Sequence, residues 1–222
     1  MNRKYKPQVK ICGLTDVRQT VQCAEMGADA IGCVFFHRSP RNLTDEQAKE
    51  ICSALPSHIA TIGVFVDEPF SFVMKKVEHC GLRGVQLHGQ ESPEMVDRLK
   101  SEGLIVIKGL FASRRPGLDQ APEYHPTAFL VECGKGILPG GNAKTWNWAE
   151  AREFGETYPL VLAGGLSADN IFQAVADSQP DAVDLSSALE SSPGQKDMEK
   201  VRIFLENLSR CAVTRETRRI FK

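Results

Sequence analysis

The nine residues QVKICGLTD, Gln8–Asp16, decide how the chain is read. A short apolar run ends on a bare cysteine, turns at Gly13 and gives way to polar residues that open a helix. In mid-strand such a cysteine would be packing filler. Where a strand opens into a loop, it can aim a chemical group at a ligand.

Working outward, the same unit recurs. Short runs rich in Val, Ile, Leu and Phe predict strands near Val9–Cys12, Ala30–Phe35, Ala60–Val66, Gly84–Leu87, Ile105–Leu110, Ala128–Glu132, Leu160–Ala163 and Ala182–Leu185. Their continuous apolar character fits parallel strands covered on both faces. Helix signals lie between them. Thr44 and Gln47 have capping-box spacing, and Ser92-Pro93 puts a cap before a proline at the first helical position. Asn147 and Ser167 read as caps of their own helices. Asp197 to Arg210 carries Met198, Val201, Phe204, Leu205 and Leu208 on one side, an amphipathic last helix. The fifth helix, Pro116–Glu123, is short and bounded by proline.

Strands followed each by a helix or its remnant, eight times in 222 residues, predict a single α/β domain, a (β/α)8 barrel. A doubly wound sheet would usually show fewer strands and a nucleotide fingerprint, and no G-x-G-x-x-G follows the first strand. The barrel is expected over residues 1–210, with residues 211–222 a basic, loosely attached tail.

Composition narrows the class. A net charge of -1 gives no global attraction to nucleic acid or an anionic membrane. No apolar run is long enough for a membrane span, and the first residues, MNRKYKPQV, lack the apolar stretch of a signal peptide. The seven cysteines form no C-x-x-C pair and the five histidines are scattered, against a zinc site or a disulfide framework. Reduced thiols in the cytoplasm are the simpler expectation.

In such a barrel the reaction site lies at the carboxyl ends of the strands. Those ends offer Cys12, Ser39-Pro40-Arg41, Gln86 and His88, Glu132, Gly164-Gly165, and Asp184 with Ser186-Ser187. The glycines and serines after strands seven and eight suit a phosphate: backbone N–H groups can approach an anion there. Plain turn chemistry would also explain a Gly-Gly pair.

Together KICGLT, SPR, GVQLHG, LAGGL and VDLSSALESSPGQKD, in this order and each at a different strand end, resemble the phosphoribosylanthranilate isomerase family of tryptophan biosynthesis. The resemblance runs from Val9 to about Leu208. It implies a cofactor-independent barrel that binds a small phosphoribosyl substrate, with a monomer as the common state and a homodimer through an apolar mouth left open. The implied reaction is an Amadori rearrangement of N-(5'-phosphoribosyl)anthranilate to 1-(2-carboxyphenylamino)-1-deoxyribulose 5-phosphate by general acid and base. By resemblance Cys12 is the base and Arg41 binds the anthranilate carboxylate, for which its planar fork is suited. Gln86 and His88 line the sugar, and Gly164, Gly165, Ser186 and Ser187 hold phosphate while Asp184 fixes donors around that loop. The acid falls on Glu132, where the family has aspartate. The extra methylene moves the carboxyl by roughly an ångström, a displacement that can cost about a hundredfold in rate.

Other departures are Ala188 for a usual glycine and Asn142-Ala143 for a usual Ser/Thr-Gly pair. Alternatives stay open: Glu132 paired with Lys10 or Lys108, a phosphosugar isomerase of different or dual specificity, or a non-catalytic phosphosugar-binding barrel. An ordinary thiol has a pKa of roughly 8.5, so Lys10, two residues from Cys12 on the same strand face, is expected to stabilise the thiolate. Lys75-Lys76 and Arg114-Arg115 are expected to be solvated surface, and Trp146 and Trp148 to pack the outer ring or the loop after strand six.

Overall fold

The computed structural model describes residues 5–134 and 145–222. Eight parallel strands close on themselves: β1 Gln8–Cys12, β2 Ala30–Phe35, β3 Ala60–Phe65, β4 Gly84–Leu87, β5 Ile105–Phe111, β6 Ala128–Glu132, β7 Leu160–Leu162 and β8 Ala182–Leu185. Lys10 pairs with Ala30 on β2 and with Asp184 on β8, which seals the barrel. Helices α1 Val17–Glu25, α2 Asp45–Ala54, α3 Phe70–Cys80, α4 Pro93–Ser101, α5 Glu150–Thr157, α6 Ile171–Ser178 and α7 Met198–Arg210 cover the outside. After β5 the helical slot holds only a 3-10 helix, Leu118–Glu123, with Pro122 inside it. A proline there forfeits a backbone donor and stops a full helix.

The cap signals divide. Thr44 and Gln47 satisfy each other's backbone N–H groups, and Ser92 Oγ accepts from Met95 N ahead of Pro93. Asp197 caps α7. Asn147 is not a side-chain cap, because α5 begins three residues later, behind a turn. Nor is Ser167: a turn through Asn170, whose side chain accepts from Ser167 N, comes before α6.

The floor of the barrel corrects the expectation for the tail. Ala30, Ala60, Ala128 and Ala182, the first residues of four strands, leave room at the axis, and Ile220 and Phe221 fill it. Gln8 ties the plug down: its Oε1 accepts from Ile220 N at 2.7 Å and its Nε2 donates to the Phe221 carbonyl at 3.2 Å. Arg215 and Arg218 converge on the fully buried Asp181 at 2.6 and 3.2 Å. Arg218 also donates to the carbonyls of Gly155, Glu156 and Tyr158, the acceptors a helix end leaves over. The tail's basic residues are thus partners of a buried carboxylate and of a helix terminus. No described helix is long and apolar enough to cross a membrane, and all seven cysteines are free.

Surface expectations also shift. Lys76 is ion-paired with Asp45 and lies over the Phe72 ring. Arg114 stacks on Phe111, with its guanidinium carbon 3.6 Å from the ring centre. The indole N–H groups of Trp146 and Trp148 donate to the carbonyls of Ala163 and Gly164, bracing the segment after β7.

Candidate active site

Alternation along the strands turns Lys10 and Cys12 on β1, Gln86 on β4, Glu132 on β6 and Asp184 on β8 toward the barrel interior, with His88 following directly after β4. Cys12 packs against Val34, Val64 and Phe36 near the mouth. Its register partner on β2 is Gly32. A Cβ on Gly32 would lie 2.7 Å from the Cys12 sulfur and 3.0 Å from Lys10 Nζ, so a glycine is what lets both groups share one side of the axis.

Lys10 and Asp184 form an ion pair of 2.9 Å, and the Lys10 ammonium also acts on the neighbouring Cys12 thiol. Burial works against the Lys10 ammonium, but Asp184 and Cys12 outweigh it and hold its pKa above the ordinary lysine value. The thiol goes the other way from the sequence expectation. Burial pushes Cys12 up, Lys10 pulls it down, Asp184 pushes it up again, and the net shift is upward. Lys10 is therefore in place, but its charge is already shared with Asp184. Asp184 is thus paired with Lys10 beside Cys12.

Across the barrel, Gln86 Nε2 lies 3.1 Å from His88 Nδ1. His88 Nε2 faces Glu132 Oε1 at 3.4 Å. Glu132 pairs with neither barrel lysine: Lys10 is taken by Asp184, and Lys108 points outward from β5 to bond Glu91 at 2.8 Å. Glu91 also accepts from the N–H groups of Gly89 and Asp67, which fixes the turn carrying His88. The amide oxygen of Gln86 is buried without a partner, the one such side-chain atom among the described residues.

Gly164 and Gly165 both have positive φ, +87° and +69°, a conformation that side chains rarely adopt. Among the described residues, the N–H groups of Gly165 and Ser187 donate to no protein acceptor. The Ser186 carbonyl accepts from Lys196 Nζ at 3.1 Å. Asn142-Ala143 lies outside the described residues.

Arg41 is buried, and its fork is partly engaged. Nε and Nη2 donate to the two oxygens of Glu190 at 2.8 and 2.7 Å. Lys196 Nζ donates to the same carboxylate at 2.8 Å. Sequence reasoning quoted this stretch without assigning either residue a role. Two opposite charges around Pro193-Gly194 were the available signal, since that turn folds strands β9 Glu190–Ser192 and β10 Gln195–Lys196 against each other.

The comparisons with known proteins agree with this geometry. A family model described as N-(5'phosphoribosyl)anthranilate (PRA) isomerase matches residues 9–207. The N-(5'-phosphoribosyl)anthranilate isomerase of Desulfatibacillum aliphaticivorans is 49% identical over 96% of this chain and 98% of its own length. That of Pelobacter propionicus is 40% identical over 95% and 97%. Among solved structures, the phosphoribosyl anthranilate isomerase of Thermus thermophilus superposes with a TM-score of 0.83 at 31% identity, covering 91% of this chain and 98% of that one. An isomerase complexed with reduced 1-(o-carboxyphenylamino)-1-deoxyribulose 5-phosphate superposes at 0.80 with 32% identity, over 91% and 98%.

Proposed function

The chain belongs to the N-(5'-phosphoribosyl)anthranilate isomerase family, and from that premise we propose how its own side chains carry the rearrangement. It is an isomerase of N-(5'-phosphoribosyl)anthranilate; a barrel of other specificity, or one without catalysis, is not favoured.

Glu132 delivers a proton to the ribose ring oxygen, and the C1'–O bond breaks to leave a Schiff base. Cys12 removes the proton from C2', giving an enolamine that tautomerises to the ketone. Nothing is oxidised by an outside group, and every atom is retained. The productive state has a thiolate opposite a protonated carboxyl. Because burial keeps the Cys12 sulfur protonated, it gives its proton to solvent before C2' is attacked. After turnover the proton it took from C2' remains on the thiol and Glu132 regains one from solvent, while Lys10, beside the sulfur, supports the thiolate.

Gln86 and His88 face the sugar, the amides around Gly164, Gly165, Ser186 and Ser187 hold the 5'-phosphate, and Arg41 meets the aryl carboxylate. One observation carries the reading. The buried, unpartnered oxygen of Gln86 lies beside the His88–Glu132 pair, and leaving such an acceptor unmet costs about 1–3 kcal/mol. A ribose hydroxyl meets that need.

The few large exposed apolar side chains among the described residues, Met26, Phe172 and Ile203, support a monomer, and seven free thiols support a cytoplasmic setting. Loss of substrate fluorescence on turnover tests the assignment. Cys12→Ala and Glu132→Ala are each expected to lower kcat by about 10²–10⁴-fold, and Arg41→Ala to act mainly on KM. Full turnover in Glu132→Ala would give the acid's role to another group.

A further inference from the structure

We propose that Glu190, backed by Lys196, is a positioning residue that aims Arg41 and thereby sets the preference for a substrate with an acidic aglycone. The inference rests on the reading of Arg41 as the group that meets the aryl carboxylate.

A guanidinium has two usable edges. Glu190 occupies the lateral one, through Nε at 2.8 Å and Nη2 at 2.7 Å. Arg41 Nη1 makes no hydrogen bond among the described residues, so the end-on edge of Nη1 and Nη2 is left for a second carboxylate. A bidentate grip fixes the plane and direction of the fork as well as its place. Arginine side chains lose much rotational freedom when ordered. Here the protein has already ordered this one before a ligand arrives.

Charge explains the lysine. An Arg41–Glu190 pair alone would be neutral and would offer a carboxylate only a dipole. Lys196 Nζ, fully buried and 2.8 Å from Glu190, adds one positive charge, so the three groups together carry a net charge of +1. The Glu190 carboxyl is accordingly held below the usual carboxylate range: burial opposes this, and the bonds from Arg41 and Lys196 prevail. Its Oε1 also accepts from Gly194 N at 3.3 Å. The hairpin is locked to α1 by paired bonds between Gln19 and the Lys196 backbone, at 3.0 and 2.9 Å. Glu190 is therefore a fixed post with each donor accounted for.

The same lysine donates to the Ser186 carbonyl. One post thus links the fork for the aryl carboxylate to the loop for the phosphate, the two anionic ends of the substrate, and sets the span between them.

The test compares two stable ligands by calorimetry: reduced 1-(2-carboxyphenylamino)-1-deoxyribulose 5-phosphate and the same compound lacking the ring carboxylate. Both carry the phosphate, so the ratio of their affinities isolates the Arg41 end. The wild type is expected to favour the carboxylated ligand by about tenfold or more, as for a site built around a charged group. In Glu190→Gln the ratio is expected to fall below about threefold, chiefly through weaker binding of the carboxylated ligand. Lys196→Met, which returns the cluster to neutrality, is expected to compress the ratio too, and serves if glutamine at 190 does not fold. A ratio near one in the wild type would overturn the reading of Arg41 itself. A wild-type preference kept intact in both variants, or in Lys196→Met alone where Glu190→Gln does not fold, would leave Arg41 standing and overturn the role of Glu190.

Discussion

The two ends of this barrel solve opposite problems with the same strands. At the floor, four alanines make a hole, and the chain's own tail returns to fill it with Ile220 and Phe221. The buried charge there is answered: Asp181 is met by Arg215, Arg218 and the Leu160 amide. At the mouth, Gly32 makes a hole that is filled by an ammonium and a thiol. Polar groups are crowded there, and one acceptor is left unmet. The floor is built for packing, whereas the mouth gives up packing to hold groups ready for a ligand. Removing a side chain should therefore cost stability below and turnover above.

The largest contrast is expected from Cys12→Ala. Turnover should drop by about 10²–10⁴-fold while the urea midpoint moves little, since the change removes a single sulfur atom. A large loss of stability would place Cys12 in the packing class. The mirror experiment is Phe221→Ala at the floor. It should destabilise by about 3–5 kcal/mol in urea unfolding, with kcat of the folded fraction preserved. Deleting residues 211–222 goes further, because it strips Asp181 of its cations, and loss of one partner of a buried pair costs about 3–5 kcal/mol by itself.

A finer probe follows Cys12 alkylation against pH, read by mass spectrometry on its own peptide. The thiol's pKa is raised, so it is protonated at neutral pH and alkylates slowly. Its rate should climb with rising pH to a midpoint above that of an ordinary cysteine. Asp184→Asn should move the midpoint down and Lys10→Met should move it up. An unchanged midpoint in both would show that the barrel's charges do not govern the base. The smallest effect is expected far from either end: Thr44→Ala should cost about 1 kcal/mol through its capping box, with no change in kcat.

The sequence made the floor and the mouth legible to different degrees. The barrel could be read because continuous apolar runs leave few other homes, and the runs at Ala30–Phe35, Gly84–Leu87, Ala128–Glu132 and Ala182–Leu185 match the strands residue for residue. Residue types at strand ends pointed to the mouth because parity alone turns them inward. Pairing was not legible, since it is decided by tertiary distance. Nothing local shows that Asp184 belongs to Lys10, or that Glu190 from a hairpin reaches the fork of Arg41. The tail misled for the same reason: its arginines look solvated until a buried aspartate 34 and 37 residues away is placed beside them. Caps at Asn147 and Ser167 failed because turns, which local composition does not distinguish from helix starts, intervene.

The placement of sulfur and carboxyl on either side of one pentose is tested most directly by a crystal structure with reduced 1-(2-carboxyphenylamino)-1-deoxyribulose 5-phosphate bound. The Cys12 sulfur is expected about 3–3.5 Å from C2', and a Glu132 oxygen within about 3 Å of the sugar oxygen that was the ring oxygen. A ligand held with C2' beyond reach of the sulfur, or with His88 rather than Glu132 against that oxygen, would contradict the assignment of base and acid.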